Sequence, residues 1–234
     1  MNLLELLLAF VLLAIAFAFS LPSQNQSLFI AQRTLLHQLQ NAQILALTDE
    51  RHFTHTAQLD SVSVRYPSIN VRKLIAHSKN ALWQVQLHIG KMYATSSFSL
   101  YIDTPRDSLS TDFDSRPMAG DIIAMDGARQ CISGYNNTNT SFDCKNNLSI
   151  HARLGENLGL ESMEIFSPSG CGERESGRVY FDHLGFVYCA KVPLELQGAH
   201  GVRGAYEVRL SKKGVSKSVC VLPQGKILGS LNGC

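Results

Sequence analysis

The sequence predicts an α+β fold, in which one long N-terminal helix packs on an antiparallel β-sheet domain that carries disulfides. The first 21 residues contain no Lys or Arg, and every residue from Leu6 to Phe19 is apolar. An amphipathic helical pattern follows, and beyond residue 59 apolar residues recur at every second position. We therefore divide the chain into an N-terminal transmembrane or assembly helix, residues 1–48, and a β-rich globular domain, residues 49–234.

The first half of the predicted helix has the composition of a membrane segment. As a helix, residues 3–21 would extend about 28 Å at 1.5 Å per residue, close to the roughly 30 Å hydrocarbon core of a bilayer. Glu5 is the one acidic residue in this stretch. Because an ionised group within a membrane is costly, Glu5 predicts a cationic partner, and the nearest cation is the α-amino group of its own or a neighbouring chain.

Two other interpretations of the same stretch stay open. Ala16-Phe17-Ala18 fits the cleavage site of a signal peptide, although the segment lacks a basic N-terminal region. A plain signal anchor with an incidental Glu5 is the other interpretation. Cleavage after Ala18 would discard Glu5 and leave an exported β-rich binding module or an enzyme.

The N-terminal stretch resembles a mature type IV pilin or a type II secretion pseudopilin. In that family an N-methylated residue, usually Phe, precedes a polar residue, two apolar residues and Glu, and Pro follows the hydrophobic helix. Those places are taken here by Met1, Asn2, Leu3, Leu4, Glu5 and Pro22. The resemblance implies a leader upstream of Met1, pairing of Glu5 with the amine of an adjacent subunit, and a kink at Pro22.

This resemblance implies a structural protein and no enzyme: a minor pseudopilin of a type II secretion system or of the related type IV pilus or DNA-uptake apparatus. The implied location is the bacterial inner membrane, with a single-pass helix and a periplasmic globular domain that is extracted into a pseudopilus. The implied partners are other pseudopilins bound through the N-terminal helix, prepilin peptidase, the inner-membrane assembly platform, and either a cargo protein or DNA.

Shorter motifs resemble the minor H-type pseudopilins and their FimT-like relatives. Phe181-Asp-His-Leu-Gly185 stands in the place of a Phe-x-x-x-Gly motif, and Gln224-Gly-Lys-Ile227 in that of a terminal T-G-x-[VI] element. Ala42-Gln43 replaces the Ala-Arg pair that is typical of the early helix in that group. The stretch 105–175 does not align and is expected to be an insertion.

Periodicity predicts the remaining elements. An apolar stripe at three- and four-residue spacing predicts a helix over residues 23–48; it consists of Leu28, Ala31, Leu35, Leu39, Ala42 and either Leu45 or Ala46. Alternation predicts strands at 59–65, 83–89, 97–102, 121–125 and 162–166. Hairpins are expected at 177–189 and 206–222, followed by a turn and a short last strand.

The six cysteines all lie beyond the midpoint of the chain. An even number behind a membrane-targeting segment predicts disulfides in an oxidising compartment, with 15 possible pairings. The simplest pairing joins neighbours: Cys131–Cys144, Cys171–Cys189 and Cys220–Cys234. Because no Cys-x-x-Cys spacing occurs, a zinc site is not predicted.

A basic stretch near the C-terminus is a candidate DNA-binding region. Between residues 203 and 226, six basic residues stand against Glu207 alone. Arg209, Lys212, Lys213 and Lys217 are the candidates, because they lie on or beside one predicted hairpin turn; phosphate contacts there would be salt-sensitive. The alternative is that Lys residues protect a strand from edge-to-edge pairing. No nucleophile motif survives inspection, and we predict no catalytic residue, metal or cofactor.

Overall fold

The computed structural model describes residues 3–20, 24–49, 82–89, 96–103, 116–118, 121–134, 142–171, 176–189 and 200–234. The two longest helices are α1 (Leu3–Ser20) and α2 (Gln24–Leu47). Short helices occupy α3 (Phe142–Lys145), a 3₁₀ turn (Ile150–Ala152) and α4 (Leu154–Leu158). The strands are β1 (Trp83–His88), β2 (Ser97–Ile102), β3 (Ile122–Ile123), β4 (Ser162–Phe166), β5 (Ser176–Phe181), β6 (Val187–Cys189), β7 (His200–Gly201), β8 (Tyr206–Lys212), β9 (Val215–Val221) and β10 (Ile227–Ser230).

The strands form two sheets, in which all neighbours are antiparallel. The six-stranded sheet has the order β3-β2-β1-β5-β6-β7, and the four-stranded sheet has the order β10-β9-β8-β4. Helix α2 contacts β1 and β5 of the first sheet and β8, β9 and β10 of the second. The hydrophobic core therefore contains the apolar stripe of α2 together with side chains from both sheets.

The amphipathic helix predicted over residues 23–48 is confirmed as α2. The stripe positions Leu28, Leu35 and Leu39 are fully buried, and Ala46 rather than Leu45 provides its last buried residue. Only this stripe of α2 enters the core, because the rest of the helix surface mixes polar residues with the exposed side chains of Phe29, Ile30, Ile44 and Leu47.

The predicted fold class is wrong. One long helix, half of it membrane-embedded, on one β-sheet domain was expected, but the described N-terminal residues form two helices and the strands form two sheets. Most elements of the described part of the chain are strands, and strands of both sheets pack against the one apolar stripe of α2. Among the residues that the structure describes, no helix combines the length and apolar content that crossing a membrane requires.

Most strand predictions correspond to observed strands. β2 and β4 have the predicted bounds, β3 is shorter than expected, and the pairs β5–β6 and β8–β9 are the two predicted hairpins. β10 is the expected short last strand, whereas β7 was not anticipated. The strand predicted at 59–65 lies outside the described residues.

The neighbour pairing of the cysteines is confirmed. Cα–Cα distances are 5.4 Å for Cys131–Cys144, 5.1 Å for Cys171–Cys189 and 5.8 Å for Cys220–Cys234. Cys189 lies in β6 and Cys220 in β9, so one bridge restrains each sheet. Each bridge closes a short loop, which limits the conformational freedom of the unfolded chain.

Candidate assembly surface

Helix α1 exposes to solvent the large apolar side chains that the structure describes. The large apolar residues whose side chains the structure describes, Leu4, 6–8 and 10–13, are all between 43% and 70% exposed. An exposed apolar surface of this extent is typical of a protein–protein or membrane contact. Because the described part of the chain leaves these side chains uncovered, α1 is the first candidate for an assembly surface.

Of the three residues predicted for assembly and processing, only the backbone of Glu5 is placed. It lies within α1, two residues after the helix begins. Met1 and Pro22 lie outside the described residues. Their predicted roles, and the ion pair of Glu5 with an amine, stay predictions.

Two glutamines of α2 connect the helix to turns and strands of the β region. Gln32 Nε2 donates to the carbonyls of Ser218 (2.6 Å) and Ser230 (2.9 Å). Gln43 Nε2 donates to the carbonyls of Gly185 (3.1 Å) and Gly225 (2.9 Å). Gly185 follows β5 in the first sheet and Gly225 follows β9 in the second, so Gln43 links the two sheets.

The Gln43 clasp, formed by Gln43, Gly185 and Gly225, brings one glycine of each of the two short motifs to Gln43, the residue at which α2 departs from the Ala-Arg pair. Both glycines have φ near +80°, a conformation that glycine adopts without strain. A Cβ on Gly225 would lie 2.6 Å from the carbonyl oxygen of Gly185. Gly225 is therefore required for its backbone conformation and also for the close approach of the two turns.

Gly225→Ala is expected to lower the free energy of unfolding by about 3 kcal/mol, because strain at positive φ and the clash with Gly185 add. The matched control is Gly214→Ala in the β8–β9 turn. Gly214 has φ +75° but open space around its Cβ position, so only the strain of about 1 kcal/mol should appear. Urea denaturation of both variants measures the difference; equal losses would contradict the close approach at the clasp.

The β5–β6 turn at the clasp presents apolar side chains on a rigid backbone. The Asp182 carboxylate accepts hydrogen bonds from the backbone N–H groups of Leu184 (2.9 Å) and Phe186 (2.8 Å) and from the Tyr188 hydroxyl (3.1 Å). Leu184 and Phe186 are nonetheless more than half exposed. Leu47 at the end of α2 is also exposed, and it lies beside Gly185 of this turn, because a Cβ built on Gly185 would touch it. The three side chains form a second apolar surface.

The four candidate DNA-binding residues lie on both faces of the β8–β9 hairpin. Lys212 Nζ donates to Ser27 Oγ (2.9 Å) and the Leu158 carbonyl (2.6 Å), beside α2. Lys217 also lies beside α2, and Lys213 is exposed in the turn itself. Arg209 lies on the opposite face, and so the structure does not bring the four together. DNA binding stays a prediction.

Arg209 forms an ion pair with Glu207 at 2.8 Å and lies 4.2 Å from the centroid of the Phe166 ring. Glu207 also accepts a hydrogen bond from Ser218 Oγ (2.7 Å). Burial raises the pKa of Glu207, but the hydrogen bonds from Ser218, from the backbone N–H of Cys234 and from Arg209 together lower it below its usual value. Arg209 thus has a structural role in holding the Glu207 carboxylate, which accepts the backbone N–H of Cys234 at 3.3 Å.

A Ser–His contact that the sequence analysis missed lies inside the six-stranded sheet. His88 Nε2 is 2.8 Å from Ser99 Oγ, which is 3.2 Å from Ser133 Oγ and accepts the N–H of Gly134 (3.1 Å). Nucleophilic catalysis uses such pairs, but the nucleophile must reach a substrate. His88, Ser99 and Ser133 are fully buried, so we interpret the cluster as structural. Period-two alternation places His88 and Ser99 on strands without revealing that they pair.

Comparison with known protein-family models, with characterised proteins and with solved structures finds no match to this chain.

Proposed function

We propose that the protein is a structural assembly subunit of the pilin type, namely a minor pseudopilin of a type II secretion system or of the related type IV pilus or DNA-uptake machine. The observation that carries this proposal is the exposed apolar surface of α1. Such a surface needs a cover that the described part of the chain does not supply. Copies of α1 from neighbouring subunits would supply that cover.

The Gln43 clasp supports the narrower assignment to the H-type group. Phe181–Gly185 and Gln224–Ile227 are far apart in the sequence and each is a weak motif alone, whereas Ala42-Gln43 departs from the Ala-Arg pair of that group. Their meeting at hydrogen bonds of 2.9 and 3.1 Å gives them a common physical role, which is to fix α2 on both sheets. A subunit that transmits force from an N-terminal helix to a globular region needs such a connection.

The three disulfides support a location on the oxidising side of the inner membrane. Disulfides form and persist in the periplasm, whereas reduced thiols are the rule in the cytosol. We therefore propose a periplasmic β region, in which the bridges form after export.

Leu7→Lys combined with Phe10→Lys is expected to weaken self-association at least tenfold, because two ammonium groups would have to be buried between subunits. Both residues are exposed on one side of α1, at 59% and 66%. Association is measured on the full chain in mild detergent by sedimentation velocity, and in cell envelopes by chemical cross-linking. Ile150→Lys is the matched control, since Ile150 is also exposed but lies outside α1.

A full chain that remains monomeric, or that associates equally well with the two lysines, would contradict the proposed function. Mass spectrometry of the N-terminal peptide from the same envelopes separates it from the exported binding module. We expect an N-methylated Met1 followed by an intact segment that includes Glu5. A mature chain that begins after Ala18 would lack α1 and would overturn the proposal.

A further inference from the structure

A groove lies between the N-terminal half of α2 and β10, the strand at one edge of the four-stranded sheet. Its two parts have volumes of about 540 Å³ and 400 Å³ and share Phe29, Lys217 and Leu231. The side chains of Phe29 and Leu231 are 46% and 66% exposed. Within the described part of the chain, the groove is therefore an apolar surface that is open to solvent.

The strand β10 presents backbone hydrogen-bonding groups on its outer side. The turn that joins β9 to β10 sets the hydrogen-bond alternation, because the Leu222 N–H donates to the Lys226 carbonyl (2.9 Å). Counting from Lys226, every second residue of β10 bonds to β9, so Ile227 and Gly229 direct their N–H and C=O groups outward. Among the strands that the structure describes, none pairs with this outer side.

Gly229 leaves space for a second backbone beside β10. It faces α2, since a Cβ built on it would lie 3.1 Å from Gln32 Nε2 and 3.6 Å from Leu36 Cδ1. A glycine within a strand is typical of sites where another backbone approaches closely. With no side chain at Gly229, the opposite residue of an added strand can point into the groove. This edge is therefore suited to an extended peptide, which binds through main-chain hydrogen bonds.

All charged residues that line the groove are basic. The Arg33 guanidinium carbon lies 5.6 Å and Lys217 Nζ 5.7 Å from the centroid of the Phe29 ring. His37 also lines the groove, and none of its lining residues is acidic. Cation–π attraction holds the two cations beside the ring without neutralising their charge, so both attract carboxylates. The preferred peptide is therefore acidic.

We propose that the α2–β10 groove binds an acidic peptide segment of a partner protein, which adds to β10 as an antiparallel strand. An apolar side chain opposite Gly229 lies beside Phe29 and Leu231, and carboxylates two positions before and after it contact Arg33 and Lys217. Residues two apart in a strand are separated by about 7 Å, comparable with the distances of the two cations from the ring. This site is independent of the proposed function, because it involves neither α1 nor subunit assembly.

The probe is acetyl-Asp-Thr-Leu-Thr-Asp-Thr-amide, in which the Leu and both Asp side chains share one face of the extended chain. Binding of a fluorescent form to the full chain in a zwitterionic detergent is measured by anisotropy. We expect saturable binding that Arg33→Glu with Lys217→Glu weakens about tenfold. Lys145→Glu with Arg203→Glu is the control, because it changes the net charge equally at exposed positions outside the groove.

A charge exchange shows whether the groove variant is still folded. A peptide with Lys in place of both Asp residues should bind the Arg33→Glu, Lys217→Glu chain better than it binds the native chain. No saturable binding of the acidic peptide, an equal loss in the control variant, or no binding of the lysine peptide to the groove variant would each overturn the proposal.

Methylation of the peptide backbone separates strand addition from simple charge attraction. A methyl group on the Leu nitrogen removes the N–H that donates to the Gly229 carbonyl, and it should weaken binding about tenfold. A methyl group on the nitrogen of the following Thr lies on the side away from β10 and should have little effect. Equal effects of the two methyl groups would overturn the strand-addition geometry.

Photo-cross-linking locates the bound peptide. Benzoylphenylalanine in place of the peptide Leu should cross-link to Phe29, Leu36 or Leu231, identified by mass spectrometry of the digested chain. Cross-links to α1 or to the apolar surface of Leu184 and Phe186 would place the peptide elsewhere and overturn the site. Phosphatidylglycerol in the same micelles, or a single-stranded oligonucleotide, should not displace the peptide. Displacement by either would assign the groove to that ligand instead.

Discussion

Complete reduction of the three disulfides is expected to lower the midpoint of thermal unfolding by about 20–35 °C. The bridges join cysteines that are 13, 18 and 14 residues apart. In the chain-entropy model each such loop contributes about 3 kcal/mol, so the three together contribute about 9 kcal/mol. A folded domain has a total stability of about 5–15 kcal/mol, and the reduced protein should be largely unfolded near body temperature.

Circular dichroism melts with and without a phosphine reductant measure this change, after mass spectrometry has shown that every bridge is open. Cys220→Ser with Cys234→Ser removes one bridge and should cost about 3 kcal/mol, a third of the whole effect. Thiol alkylation before the melt prevents re-oxidation. An unchanged midpoint in fully reduced protein would show that the bridges are dispensable for stability.

The sequence predicted α2 well because its apolar residues repeat with the period of a helix. It did not reveal Gln32 and Gln43, because a polar residue beside an apolar stripe usually faces water. The signal was present as an eleven-residue repeat, in which Leu28, Ala31 and Gln32 are followed three turns later by Leu39, Ala42 and Gln43. Residues eleven apart lie on one side of a helix, so both glutamines reach the β9–β10 hairpin of the four-stranded sheet, and Gln43 also reaches the β5–β6 turn of the other sheet.

The sheets could not be predicted in the same way, because alternation identifies a strand but not its partner. Val85 of β1 pairs with Leu100 on one side and with Val179 on the other, and the second partner is far away in the chain. Polar residues at alternate positions also do not guarantee an exposed face. Gln86 is fully buried, and the Tyr101 hydroxyl donates a hydrogen bond of 2.9 Å to its side-chain oxygen, which offsets the cost of burying it.

The same limit explains the dispersed basic residues. Counting charge along the chain placed Arg209 with the lysines, but successive residues of one strand point to opposite faces of a sheet. Lys212 and Lys217 lie on the face towards α2, and Arg209 lies on the other, paired with Glu207.

The disulfide pairing was predictable because each partner is the nearest cysteine in the sequence, so only local chain closure was needed.

Burial of His88 makes the stability of the protein depend on pH in a definite direction. Desolvation and the positive charge of Arg178 lower the pKa of His88 from 6.5 to about 3. The native state therefore holds the imidazole neutral, where it contacts Ser99 at 2.8 Å. Between these two pKa values the unfolded chain binds one more proton than the native chain, so the free energy of unfolding falls as the pH falls from about 6.5 towards 3.

His88→Gln is expected to remove this acid sensitivity. For one proton, the free energy of unfolding changes by about 1.4 kcal/mol per pH unit. Between pH 6.5 and 4.5 the contribution of His88 therefore lowers the stability of the native protein by about 2–3 kcal/mol, and this contribution should be absent from His88→Gln. Urea unfolding at several pH values in this interval measures both slopes.

Glu207 and Asp126 have lowered pKa values, so their stabilising contributions are lost only at lower pH. His37→Gln is the control for the substitution itself, because His37 is exposed on α2. Parallel slopes for the native protein and His88→Gln would show that His88 accepts a proton without unfolding, and would contradict its assignment as a neutral, fully enclosed member of the serine cluster.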